Sequence, residues 1–158
     1  MIIIGYPGIG KSSLAGAYNK YIDLESSNFN KPDLKKPEGW HKTYCKVAED
    51  LSRQGYIVFV SCHKEVQDYL YSSDEIVALC YPTIELKDLW IGKLLYRYEH
   101  DICDKNLAAF ETAVNNYTKH ITALNDSPYE HKIILSSIDY ILDNEIKDFI
   151  HKEIDTPV

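Results

Sequence analysis

The chain has 158 residues, room for one domain, with 45% hydrophobic and 26% charged residues, ordinary for a chain that folds around its own core. Those figures exclude intrinsic disorder, collagen-like repeats and a disulfide-built miniprotein. Lys plus Arg number 17 against 24 Asp plus Glu, a net charge of -7, and such a surface repels phosphate backbones at long range, which argues against nucleic acid as a partner.

Ile2–Ile4 reads as a buried strand opening directly from Met1, with no signal peptide before it. A glycine loop follows, then a helix from about Lys11 to Lys20 and a short strand at 21–24. Residues 26–39 carry Ser, Asn, Pro, Gly and Lys, the mark of a loop. Trp40, Tyr44, Val47, Ala48 and Leu51 recur at helical spacing, and Gly55 stops that helix. Residues 56–60 are an unbroken apolar run, as expected of a strand covered on both faces. A helix over about 64–72 and a strand at 76–81, closed by Pro82, come next.

Residues 84–125 contain no proline and one glycine. Leu107, Phe110, Val114, Tyr117, Ile121 and Leu124 form a helical stripe, so this stretch reads as two helices joined near 101–104, with Asp104 as the expected cap of the second. Residues 133–135 are the last strand, leading into a terminal helix with Ile138, Ile141, Leu142, Ile146, Phe149, Ile150 and Ile154 on its apolar positions. Strand–helix alternation implies right-handed crossovers and a parallel sheet with helices on both faces. No apolar run is long enough to cross a bilayer. Cys45, Cys62, Cys80 and Cys103 include no C-x-x-C pair, so they read as structural or incidental thiols, and a reducing cytoplasm fits best. Apart from His63, the histidines are scattered without zinc-ligand spacing.

Gly5-Tyr6-Pro7-Gly8-Ile9-Gly10-Lys11-Ser12 fits G-x-x-x-x-G-K-[ST] at every defined position, with an apolar strand before it and a helix after it. Chance alone produces this pattern in about half a per cent of chains of this length. In such a loop, backbone N–H groups of residues 5–13, Ser13 included, turn inward around phosphates. Lys11 would reach the β- and γ-phosphates of ATP, and the Ser12 hydroxyl would ligand Mg²⁺. No carboxylate follows the apolar strand 56–60, which ends in Ser61-Cys62-His63. The strand-end carboxylates are Asp23 and Glu25, on one face by strand alternation. They suit a general base for an acceptor hydroxyl and, at Asp23, a contact to the magnesium.

The strand order, short chain and absent distal Asp resemble the small-kinase branch of P-loop proteins: adenylate-kinase-like nucleotide kinases, shikimate kinase and gluconate kinase. Ile22-Asp23-Leu24-Glu25 resembles the D-x-D after the second strand of shikimate kinase, and residues 57–64 resemble the gluconate-kinase strand that ends in C-S-A-L-K. The opening and the D-L-E-S-like segment also resemble small uncharacterised phage and Firmicute ATP-binding proteins. The resemblance implies a P-loop NTPase three-layer fold, a parallel five-stranded sheet flanked by helices, with residues 84–125 as a helical-hairpin lid-like insert.

It further implies a kinase that moves the γ-phosphoryl of Mg-ATP to a nucleoside or nucleoside monophosphate. A small hydroxylated metabolite and a polynucleotide 5′-hydroxyl are the other acceptors, and a slow NTPase that binds a partner is the alternative function. Small kinases present several arginines from the lid, whereas the only arginines here are Arg53 and Arg97. Leu86, Trp90, Lys93 and Arg97 fall within about 60° of one another on a helical wheel, so a Lys93/Arg97 stripe beside Trp90 is expected over the triphosphate. Phe29 and Trp40 are the candidates to stack on an acceptor base, with Ser27, Asn28 and Lys31 for its polar groups. His63 is a further acceptor contact. Lys35, Lys36 or Lys42 would meet an acceptor phosphate. The helical hairpin is also the expected surface for a second copy or a protein partner.

Overall fold

Ile2, Ile3, Ile4, Val58, Phe59 and Val60 are all buried, because apolar strands without alternation require cover on both faces. The computed structural model describes residues 1–30 and 36–155. Strands β1 (Ile2–Gly5), β2 (Tyr21–Asp23), β3 (Ile57–Ser61), β4 (Val77–Pro82) and β5 (His131–Leu135) form one parallel sheet in the order β2-β3-β1-β4-β5. In its register, Ile3 lies between Phe59 and Ala78. The helices that cover the sheet are α1 (Lys11–Ala17), α2 (Trp40–Arg53), α3 (Lys64–Leu70), α4 (Lys87–His100), α5 (Asp104–Asp126) and α6 (Asp143–Phe149), the last running on through a π-helical turn at Ile150–Ile154.

The expected parallel sheet flanked by helices is therefore present. Several local expectations change: β5 opens at His131, two residues before the expected start at 133, and β4 runs through Pro82. Helix α1 ends at Ala17, with Tyr18 extended, since the chain must enter β2 three residues later. At the hairpin, Cys103 rather than Asp104 occupies the N-cap position, and Asn106 donates to the Asp101 carbonyl at 2.9 Å. The terminal helix starts at Asp143, not directly after β5. Residues 136–142 are irregular because the Ile141 N–H donates to the Ile9 carbonyl at 2.9 Å, which outweighs the local helical periodicity of Ile138 and Ile141.

Helices α4 and α5 lie in sequence between β4 and β5 and pack against each other and the body. Trp90 and Leu94 of α4 are buried, as are Ala113, Tyr117, Ile121 and Leu124 of α5. The hairpin is thus a contributor to the core. Among the described residues no helix is long and apolar enough to cross a membrane.

Candidate functional site

In a parallel sheet all strand C-termini open on one edge, which brings the glycine loop after β1, the exit of β2 and the exit of β3 to the same place. A cleft of about 1030 Å³ opens there. Gly8 and Gly10 of the loop have φ of 92° and 105°, in the left-handed region that glycine adopts without steric cost. Each is also crowded. A Cβ on Gly10 would lie 2.8 Å from Tyr140 Cβ, and one on Gly8 would lie 3.2 Å from both Trp90 Nε1 and Leu94 Cδ2. The loop is held from behind by the Trp90 indole, which donates to the Pro7 carbonyl at 2.8 Å. Tyr6 is buried, its ring edge-on to Tyr117 with centroids 5.7 Å apart.

The Lys11 ammonium donates to the Gly5 carbonyl at 3.1 Å and faces the β2 exit. Desolvation lowers its pKa, while the charges of Asp23 and Glu25 work in the opposite direction. The Asp23 and Glu25 carboxyls are close enough to perturb each other's titration, a like-charge pair that a proton or a cation would relieve. Asp23 is pushed above the ordinary carboxylate range by burial and by the Glu25 charge, against the pull of Lys11 and Lys105. Glu25 also suffers desolvation, yet its hydrogen bond and ion pair with Lys105 bring it below the ordinary value.

Tyr44 ties the two strand exits together. Its hydroxyl donates to the Leu24 carbonyl at 2.6 Å and accepts from the Ser61 N–H at 2.9 Å. Its phenol pKa is pushed up to about 12 by burial, so it remains a donor. His63 lines the cleft, and burial, with Lys36 and Lys11 nearby, holds its imidazole below the usual value. The Cys62 thiol is pushed up to about 11 by burial and is a poor nucleophile at neutral pH.

The sequence candidates separate into two groups. The cleft is lined by Tyr6, Pro7, Gly8, Gly10, Lys11 and Ser12 of the loop, and by Asp23, Glu25, Ser27, Lys36, His63 and Arg97, while Lys42 does not line it. Gly5 supplies the carbonyl for Lys11, and Ile9 is buried. Ser13, Asn28, Phe29, Trp40 and Lys93 do not line it. Phe29 and Trp40 instead pack on Tyr44, with ring centroids 5.2 and 5.6 Å away, and Trp40 also meets His63 edge-on at 5.1 Å.

Lys93 is turned away from the cleft. Its ammonium donates to the Ile138 carbonyl and sits over the Trp90 and Tyr140 rings. Burial lowers its pKa to about 8. Arg97 does reach the cleft, and its Nε is buried without a partner. Lys31 and Lys35 lie outside the described residues.

Lys105 is the cation that the helical wheel of α4 misses, because it belongs to the first turn of the next helix and only the hairpin's packing brings it to Glu25. Its one sequence signal is position, just past the break at 101–104. Ser61 was legible as the end of an apolar strand, and its hydroxyl is buried without a partner on the cleft wall.

Ser12 and Asp23 are the side chains that could hold magnesium. Among the described residues no cluster of three or more His, Cys, Asp and Glu is arranged to hold a metal by itself, but magnesium commonly takes only one or two protein ligands beside phosphates and water. Asp23 beside Glu25 is a like-charge pair that a cation relieves, and the Ser12 side chain is exposed at the loop's end. No protein-family model matches the chain, and a search of curated proteins finds no significant match.

Proposed function

We propose that this chain is a P-loop phosphotransferase that moves the γ-phosphoryl group of Mg-ATP to a small acceptor, with a nucleoside or nucleoside monophosphate as the first acceptor class to test. The observation that carries the reading is Lys11 held on the Gly5 carbonyl opposite the Asp23–Glu25 pair. A cation for the triphosphate and a base for the acceptor thus flank one cleft. The motif at residues 5–12 and the sheet order β2-β3-β1-β4-β5 support it.

In this scheme the loop N–H groups and Lys11 hold the β- and γ-phosphates. The acceptor oxygen forms a bond to the γ-phosphorus as the bond to the β,γ-bridging oxygen breaks, and ADP leaves. The acceptor proton passes to the Asp23–Glu25 pair. Ser12 and Asp23 would hold magnesium, which supplies charge neutralisation between the phosphates when bound. Arg97 and Lys105 add positive charge at the cleft, and buried Tyr44 fixes the spacing of the two strand exits.

A panel of nucleosides, nucleoside monophosphates and sugar acids, assayed for ADP formation from Mg-ATP, tests the proposal. One acceptor should raise turnover well above the no-acceptor control, and Lys11→Ala should lower that turnover about 10²-fold or more. Tight ATP binding with no response to any acceptor overturns it. The second reading, a slow NTPase that docks a partner, is favoured by the diversion of Lys93 to Ile138, which leaves few cations for a moving phosphoryl group. That reading predicts the no-response outcome.

A further inference from the structure

The cleft extends well beyond the glycine loop and the two strand exits. Its lining continues along α5 from Lys105 to Leu124, about 28 Å of helix axis at 1.5 Å per residue. On the other wall it follows α3 through Gln67 and Asp68 to Tyr71. Its volume of about 1030 Å³ lies at the top of the usual range for a drug-sized ligand.

The far part also differs in chemistry. Lys11, Arg97 and Lys105 stand at the loop end, and Lys36, held on Asn30 near His63, also lines the cleft on the side of the β2 and β3 exits. Lys64 is paired with Asp68. Beyond them the described lining includes Gln67, Tyr71, Thr112, His120 and Tyr129, with the small side chains of Ala108, Ala109 and Ala123 leaving the α5 wall open, and Asp126, Ser127 and Pro128 at the exit. No Lys or Arg lines this stretch among the described residues. A polyanion needs cations along its whole track, so this slot is closed to a polynucleotide. Tyr129 is buried and its hydroxyl donates to the Gln67 carbonyl at 2.6 Å, which ties the end of the slot to α3. Tyr71 meets Tyr129 edge-on at 5.4 Å and is 57% exposed, so one ring face is offered at the exit. Burial and the neighbouring Lys119 lower the His120 pKa, which keeps the imidazole neutral at pH 7. The Gln67 amide makes only long contacts, 3.4 and 3.6 Å, to Cys62. Both groups are available to an uncharged polar ligand.

We infer that the slot between α3 and α5 binds the body of an elongated, uncharged, hydroxylated acceptor, with a planar ring at its far end against Tyr71 and its reacting hydroxyl at Asp23 and Glu25. The position of the reacting hydroxyl rests on the phosphotransfer reading; the binding of an uncharged body does not.

Isothermal titration without ATP tests it with four probes: adenosine, p-nitrophenyl glucoside, p-nitrophenyl maltotrioside and the dinucleoside phosphate ApA. The maltotrioside should bind at least about tenfold more tightly than the glucoside, and ApA should gain nothing from its length. Thr112→Trp, at an exposed position midway along the α5 wall, should erase the gain with length while the melting temperature stays near wild type. Tyr71→Ala should weaken the long probe selectively. Equal affinity for short and long uncharged probes, or ApA binding as tightly as the maltotrioside, overturns the inference. Length-dependent binding with no ADP formation from any acceptor, these probes or the panel above, would overturn the kinase reading and leave the slot standing. ADP formation from short acceptors, with no gain for long ones, would do the reverse.

Discussion

Asp23 and Glu25 lie two residues apart on one strand exit, yet their environments push their titrations in opposite directions. Burial and the like charge of Glu25 raise Asp23, while Lys105 brings Glu25 down despite its own desolvation. Because each carboxyl perturbs the other, the two titrate as a pair, in two steps that belong to the pair and not to either residue. The signs of the perturbations are separable. Glu25→Gln removes the like charge, so the remaining Asp23 should titrate at lower pH than the upper step of the wild-type pair. Lys105→Ala removes a cation that lowers both groups, so both steps should move up. Carbon-detected NMR titration of the side-chain carboxyls reads this without any assumption about activity. If the proposed reaction requires the ionised pair, the acid limb of turnover should move in the same two directions. An upper step unmoved in both variants would mean that burial alone perturbs Asp23.

At the scale of elements, α4 is the support on which the glycine loop rests. Trp90 is fully buried and spends its only donor on the Pro7 carbonyl at 2.8 Å, and the same helix anchors residues 136–142 through Lys93 and Ile138. Trp90→Phe keeps an aromatic ring but leaves that carbonyl without its donor, a loss of about 1–3 kcal/mol. For a chain of this size each kcal/mol is worth roughly 2–4 °C in Tm. Calorimetry should therefore show a fall of several degrees, and an unchanged Tm would show that the contact is replaced by water at no cost. This arrangement marks the limit of what the sequence makes legible. The unbroken apolar runs of β1, β3 and β4 announce buried parallel strands, and the loop between β1 and α1 announces itself by its glycines. The helical stripe of α5 is equally plain from Leu107 to Leu124. What remains hidden depends on partners distant in sequence. A helical wheel places Trp90, Lys93 and Arg97 on one stripe, but only packing against Pro7 and Ile138 decides that the first two support the loop while Arg97 reaches the cleft. Phe29 and Trp40 look equally suited to stacking a base or filling a core, and Tyr44 decides for packing.

The whole molecule is closed by one carboxylate. Asp143, at the start of α6, is buried and gathers groups from the opposite end of the chain. The Tyr21 hydroxyl donates to its Oδ1 at 2.6 Å, Lys20 pairs with the same oxygen at 2.7 Å, and Lys147 pairs with Oδ2 at 3.0 Å. The edge strand β2, the turn after α1 and the last helix are thus joined across 122 residues. The hydrogen bond from Lys20, then that from Tyr21, hold the Asp143 carboxyl well below its ordinary value of 3.8, against desolvation. A depressed carboxylate pKa adds stability that is present above the unfolded value and is lost as pH falls through the folded one. Asp143→Asn should therefore melt below wild type at pH 7, because Lys20 and Lys147 lose their shared counter-charge. The difference between the two proteins, followed by thermal melts at successive pH values, should stay level down to about pH 4 and shrink below it. Taking the difference removes the other carboxylates that titrate in the same range, since they are common to both proteins. A gap that stays constant into strong acid would mean that Asp143 acts through packing and neutral hydrogen bonds, and its charge would then have no part in holding the two ends of the chain together.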